Sequence, residues 1–364
     1  MEKMQEALRE KQQGTLIEVS QQTVEQYLWH WLVHMAKDRL RPRTYERYEQ
    51  YVRLHLIPVL GKVKLQALSP QHIQIWKAKK LKEGLSPTTV KTMHMVLYKA
   101  LSDAIKLELV TRNVCEMVSP PRQTHKELTV LTDEQARRFL EAVVGQPDEA
   151  LFMVAMATGM RRGELLGLKW QDINFEERIL RVRRTLNRVP TVLGKGAGML
   201  VESEPKTKQS RRSIVLPAFA LEALQRQKQL QTEWKHYAED AWEEHEYVFT
   251  TPLGRYIHPN TLYRRFKVLL KQAGLPDLRF HDLRHSVASS LLSHGVHPKV
   301  VQEILGHSQI SITLDIYSHV LPTMHVDAME KLHQAFLGYH NPDVSGQKDD
   351  NNDEDAAGGI LATV

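Results

Sequence analysis

Two Ser-Pro pairs, Ser69-Pro70 and Ser86-Pro87, constrain the first half of the chain more than any other feature. Each offers a side-chain acceptor just before a helix and a proline at its first position, where a missing N–H costs nothing. Behind the second pair, Val90, Met93, Leu97, Leu101 and Ala104 recur on one helical face, with Lys91, Lys99 and Lys106 on the other. Upstream, Val24, Tyr27, Leu28, Trp31 and Met35 keep the same period. A basic turn, Arg39-Leu40-Arg41-Pro42-Arg43, then precedes a helix expected from 44 to about 56, stopped by Pro58 and Gly61. Ser119-Pro120-Pro121 breaks the pattern, and Thr132-Asp133-Glu134-Gln135 is a capping box opening a new helix. The first half therefore reads as a helical body ending between about 119 and 130.

The second half mixes periods. A helix is expected over 150–167, leading into a stretch where Ile179, Arg181, Arg183 and Thr185 alternate with Leu180, Val182, Arg184 and Leu186. That alternation predicts a hairpin over 172–186 turning at Glu176-Glu177-Arg178, with a third short strand at 212–216. The glycine-rich segment 194–198 lacks the strand–loop–GK[ST]–helix setting of a nucleotide loop and reads as a linker. Helices are expected at 218–242, 259–273, 281–294, 298–305 and around 314–320. The fold class is thus mainly α with a small antiparallel β-sheet.

Charge narrows the partners. The formal net charge is +6, but beyond Pro342 six acids face Lys348 alone, so residues 1–342 carry about +11. Such a surplus suits either a soluble surface or a polyanion partner whose counterions it releases. No run approaches the ~18 apolar residues of a membrane-spanning helix. The charged start, residues 1–13, lacks a signal-peptide core, and the single cysteine, Cys115, forms no internal disulfide, so a cytoplasmic location is expected.

Three segments of the second half stand out: Thr158-Gly159-Met160-Arg161-Arg162-Gly163-Glu164, His281-Asp282-Leu283-Arg284-His285, and Leu305-Gly306-His307-Ser308. Tyr317 follows, in Asp315-Ile316-Tyr317-Ser318-His319. Taken singly, each has an ordinary structural explanation: an arginine pairing with a carboxylate, a satisfied buried histidine, a core tyrosine. Two functional rivals exist. His281 and His285 lie four apart on a helix, as zinc ligands do, but Arg284 would set a cation beside the metal. Residues 299–312 read as helix, tight Gly306 turn, helix, as in a helix-turn-helix regulator, which leaves Arg161 and Tyr317 unused.

Together the segments resemble the tyrosine recombinase (phage integrase) family. Its T-G-x-R-x-x-E-L motif is matched by 158–165, H-x-x-R by His281 and Arg284, L-G-H-S by 305–308, and Y-x-H by Tyr317 and His319. Its strand lysine is matched by Lys206 in Pro205-Lys206-Thr207-Lys208, ahead of Ser210-Arg211-Arg212. The resemblance covers roughly 20–338 and implies a catalytic set of Arg161, Lys206, His281, Arg284, His307 and Tyr317. It implies cleavage of DNA through a 3′-phosphotyrosine, with rejoining that needs no ATP, metal or other cofactor. A type IB topoisomerase shares that chemistry.

The resemblance also implies an organisation. Residues 1–20 would be the remnant of an upstream helix and linker, and 21–118 a helical, SAM-like core-binding domain clamping DNA, with Arg43, Arg47, Lys91 and Lys99 as phosphate contacts. After a linker at 119–130, the catalytic domain would fill 131–338, and 339–364 would be an acidic disordered tail. The partners implied are double-stranded attachment sites, three further copies in a synaptic tetramer, and accessory directionality and DNA-bending factors, with no membrane. An apolar stripe, Val326, Met329, Leu332, Ala335 and Phe336, either packs on the protein's own core or, as the resemblance implies, docks onto a neighbouring protomer.

Overall fold

The computed structural model describes residues 21–122, 129–189, 199–204, 208–317 and 321–336. The expectations for residues 1–20, the 194–198 linker, Lys206 and the tail from 339 lie outside that set.

The first body is built from helices α1 (Val24–Trp31), α2 (Pro42–Tyr51), α3 (Ile57–Leu60), α4 (Pro70–Lys82) and α5 (Pro87–Lys106). Both Ser-Pro starts form as read. The Ser86 hydroxyl accepts from Thr89 N at 3.2 Å, while Ser69 N donates to His72 Nδ1 at 3.2 Å. The apolar face of α5 is buried, and so is Trp76 of α4, whose indole Nε1 donates to His55 O at 2.9 Å. One expectation needs correction: the second helix begins at Pro42 and does not stop at Pro58. Proline cannot donate to the residue four back and its ring displaces that carbonyl. The chain accommodates this with a π turn, Val52–Leu56, in which Ile57 N reaches back to Val52 O, and helix continues to Leu60. A similar π turn, Leu32–Ala36, extends α1.

The second body has its own core. Helix α6 (Asp133–Val143) starts at the Thr132 capping box, with Gln135 N donating to Thr132 Oγ1 at 3.2 Å and Thr132 N to Gln135 Oε1 at 3.0 Å. Helix α7 (Glu149–Thr158) is apolar on every side, as befits a central helix, and packs between α6, α9 (Ala218–Ala238) and α11 (Phe280–Ser293). With α10 (Pro259–Gln272), these elements enclose Phe139, Phe152, Phe266 and Phe280, whose rings meet edge-on, tilted or stacked at 5.5–6.1 Å. The single helix expected over 150–167 is in fact two. Gly159 takes a left-handed φ of 59° and ends α7, and α8 (Arg162–Leu166) restarts at a new angle.

The β structure is antiparallel but divided. Strands β1 (Ile173–Asn174), β2 (Ile179–Val182) and β5 (Arg212–Val215) form one sheet in the order β1-β2-β5, with Leu180 opposite Ile214. Leu180 and Val182 are buried and Ile179 and Arg181 half-buried, as alternation requires. The run expected to continue past 182 instead leaves the sheet: β3 (Thr185–Val189) pairs with β4 (Met199–Ser203) as a separate ribbon. The turn between β1 and β2 carries Arg178 at φ 57°.

Beyond α11, helices α12 (Pro298–Leu305), α13 (Ile310–Tyr317) and α14 (Leu321–Phe336) complete the described chain. The helix expected around 314–320 therefore begins four residues sooner. Among the described residues no helix is long and apolar enough to cross a membrane.

Candidate active site

The break at Gly159 creates the site. It turns the Gly159 carbonyl out of the helix, where it accepts from Arg284 Nη1 at 2.7 Å, and it leaves Arg161 in extended conformation at the start of α8. Three residues on, Glu164 accepts from Arg161 N at 3.0 Å and from Arg161 Nη1 at 2.8 Å. The same carboxylate takes Arg212 Nη2 at 3.1 Å, from β5. Burial alone would raise the Glu164 pKa, but Arg212 and Arg161 hold its carboxyl below the usual range. Glu164 is thus a fixed anion clamping two arginines.

Helix α11 supplies the next groups. Arg279 and Asp282 close its first turn, with Arg279 N donating to Asp282 Oδ2 at 2.8 Å, and His281 and Arg284 project one turn apart. Arg284 is buried, at 2% exposure, and its Nη2 has no hydrogen-bond partner among the described residues. Burial, then Arg161 and Arg212, pull its pKa down to about 9, so it stays cationic at neutral pH.

The α12–α13 turn closes the site. Gly306 adopts a left-handed φ of 67° and gives its carbonyl to Arg161 Nη2 at 3.2 Å; the preceding Ile304 carbonyl takes Arg212 Nε at 2.5 Å. His307 is buried beyond it, its backbone tied to Gln302 in both directions and its Nδ1 lying 2.8 Å from Thr313 Oγ1. Burial, with Arg284 and Arg161 adding to it, pushes the His307 pKa to about 3. His281 is pushed to about 4 by desolvation, then by His285, Arg284 and Arg161. Both imidazoles are therefore neutral at pH 7.

The structure therefore brings Arg161, His281, Arg284 and His307 into one electrostatic neighbourhood. Lys206 lies outside the described residues. Tyr317 is the last residue of α13, one turn beyond Thr313, and its side chain is likewise outside the description. A cavity of about 280 Å³ opens beside the site, lined by Met160, Arg162, Tyr263, Arg279, Phe280 and His281. Of the expected phosphate contacts, Arg43, Arg47 and Lys99 are exposed and Lys91 is half-buried. Lys99 Nζ also bonds Tyr48 Oη at 3.0 Å, and Arg43 approaches Arg162, whose pKa burial and that neighbour both lower.

Glu164 and Arg212 were missed as site residues. Glu164 was visible in its motif and Arg212 in the Ser-Arg-Arg run, but a pairing across 48 residues leaves no periodic signal. The rival readings lose ground on geometry. The His281 and His285 rings meet edge-on at 5.0 Å, and no group of three potential metal ligands gathers among the described residues. The Gly306 turn is held by Arg161 and Arg212 rather than standing free as a DNA-reading unit.

Comparison with known proteins agrees. Residues 129–324 match the phage integrase family, and 23–81 the phage integrase N-terminal SAM-like domain. A XerC-like tyrosine recombinase of Caldanaerobacter subterraneus subsp. tengcongensis is 33% identical, covering 92% of this chain and 89% of its own length. The ICEBs1 integrase of Bacillus subtilis is 28% identical over 80% of this chain and 78% of its own. In fold, the chain is similar to the Tn1549 transposon integrase in complex with a circular intermediate DNA, with TM-score 0.72 and 23% identity over 85% of this chain and 99% of that one. A lambda integrase tetramer bound to a Holliday junction superposes at TM-score 0.61, 18% identical, covering 84% and 80%. With its second body matched throughout its core and a relative one-third identical along almost the whole chain, the protein belongs to the phage integrase family of site-specific tyrosine recombinases.

Proposed function

We propose that Tyr317 is the nucleophile and that Arg161, Arg284 and His307 bind the scissile phosphate. The observation that carries this reading is the buried guanidinium of Arg284, whose Nη2 has no hydrogen-bond partner among the described residues and which lies near Arg161 and His307. A buried cationic donor without a partner is costly unless a ligand supplies an acceptor. A phosphate's non-bridging oxygens, which gather charge as phosphorus becomes five-coordinate, are acceptors of the right kind for planar guanidiniums.

In this scheme the Tyr317 oxygen attacks phosphorus and forms a 3′-phosphotyrosine, and the bond to the 5′-oxygen breaks. Neutral His281 accepts the tyrosine proton, and Lys206 protonates the departing 5′-oxygen. Attack by the freed 5′-hydroxyl of a second duplex reverses these steps and exchanges strands. The residues supply the charge stabilisation themselves, so the activity should be indifferent to chelators.

The broader organisation follows the same reading: a DNA-clamping domain over 21–118, a linker over 119–130 and a catalytic domain over 131–338, acting in the cytoplasm on attachment sites of a phage or integrative element. Arg43, Arg47, Lys91 and Lys99 contact the DNA backbone. The named Tn1549 and lambda integrase complexes with DNA support binding to duplex, and the lambda tetramer supports a four-protomer synapse. Exposed Met329, Leu332 and Phe336 on α14 suit docking onto a neighbouring copy.

The test sets recombination against topoisomerase action. Incubated in EDTA with two cognate attachment sites, the protein should exchange strands between them, while a supercoiled plasmid lacking those sites should stay largely supercoiled. Efficient relaxation of any plasmid without exchange would overturn the reading.

A further inference from the structure

We infer that Thr313 is a positioning residue: its hydroxyl fixes the ring of His307 so that Nε2 is presented to the scissile phosphate as an N–H donor. This rests on the phosphate-binding role proposed for His307.

The geometry is specific. His307 Nδ1 and Thr313 Oγ1 lie 2.8 Å apart, and both residues are buried, Thr313 completely. The histidine backbone is held separately, since its N–H donates to Gln302 O and its carbonyl accepts from Gln302 Nε2, each at 3.1 Å. Gln302 thus fixes where the residue sits, and Thr313 fixes which way the ring faces. A neutral imidazole has one N–H, and the nitrogen that carries it is decided by the partner of the other. A hydroxyl is able to serve as donor, whereas a backbone carbonyl or carboxylate at Nδ1 would force the proton onto that nitrogen. The 2.8 Å contact admits either direction; in the inferred one the threonine O–H donates to Nδ1 and the ring proton resides on Nε2, the form that can donate to a phosphate oxygen.

The position of Thr313 gives the contact a second consequence. It stands on α13 one turn before Tyr317, so the bond to His307 forms only when that helix is seated against the α12–α13 turn. Seating of the nucleophile helix and selection of the competent histidine tautomer are then one event.

The inference is tested on the full chain with ¹⁵N-labelled histidine, assigning His307 through His307→Ala. In a DNA complex carrying Tyr317→Phe to block chemistry, Nε2 of His307 should be protonated and Nδ1 bare. Thr313→Val should shift the His307 tautomer distribution both with and without DNA, and Thr313→Ser should retain the parent pattern. In single-turnover cleavage at saturating DNA, Thr313→Val should lose about 10–100-fold, the size of loss seen when the partner that orients a metal-ligating histidine is removed. Thr313→Ser should recover most of that loss, and Thr313→Val should add nothing to His307→Ala. An unchanged tautomer in Thr313→Val, a proton on Nδ1 in the complex, or losses that add in the double variant would each overturn the inference. A shifted tautomer with full cleavage in both Thr313→Val and His307→Ala would instead remove the phosphate role of His307 on which it rests.

Discussion

At the scale of single residues, the site is organised by a carboxylate that touches no reacting atom. Glu164 is nearly fully buried and binds Arg161 and Arg212, so its removal leaves the buried Arg212 guanidinium and the half-buried Arg161 without their counter-charge. Breaking a buried ion pair from one side costs about 3–5 kcal/mol, and Glu164→Ala should lower stability by that order in urea unfolding. A loss below about 1 kcal/mol, the size of a surface pair, would contradict the clamp. The histidines make a second, pH-dependent contribution. The folded-state pKa of His307 is about 3, against 6.5 for the unfolded chain. Between those values the unfolded state binds the extra proton, so the stability present above pH 6.5 is lost as pH falls toward 3. The melting temperature should therefore drop between pH 6.5 and 4, and His307→Gln should make that drop shallower. Identical slopes for the two proteins would show that His307 titrates normally.

At the scale of elements, two left-handed glycines place the arginines, and they differ in what a side chain would meet. A Cβ at Gly159 would come within 2.4 Å of Leu305 Cδ2, the end of a side chain that can turn aside. At Gly306 it would lie 2.9 Å from the Gln209 backbone carbonyl and 3.0 Å from Arg212 Nη1. Left-handed backbone costs an L-residue about 1–2 kcal/mol, and only at Gly306 does unyielding backbone add to it. Gly306→Ala should thus destabilise more than Gly159→Ala and cut single-turnover cleavage, with DNA affinity little changed, because Arg161 and His307 shift together. Equal effects of the two substitutions would mean that the Gly306 turn is not a fixed part of the site. These elements also mark where the sequence could be read. The helices with Ser-Pro or Thr-x-x-Gln starts stand where their caps put them, since capping is a local signal. Gly159 ends an apolar run after which Leu165 and Leu166 resume the helical spacing, so the sequence over 150–167 reads as one helix. Strand β4 had no legible alternation of its own and exists through its pairing with β3.

At the scale of the whole molecule, a mainly helical chain with a small amount of antiparallel sheet was legible from periodicity, and the motifs that carry the family stood in order along it. What linear reading could not supply was convergence. Arg161 follows one helix, Arg284 lies within another and His307 sits in a turn, and only burial against a shared core brings their charges together. Glu164 and Arg212, which hold that convergence in place, stand in recognisable motifs, but nothing in the linear sequence pairs them. In the proposed reaction this assembled site directs one residue, Tyr317, onto DNA. The most direct measurement traps the full chain on a nicked cognate attachment site, digests the covalent complex and locates the attached nucleotide by mass spectrometry. The expected result is a 3′-phosphoryl linkage on the peptide containing Tyr317, and no adduct from Tyr317→Phe although that variant binds the same DNA. An adduct that persists in Tyr317→Phe, or that maps to Tyr256 or Tyr263, would place the nucleophile elsewhere.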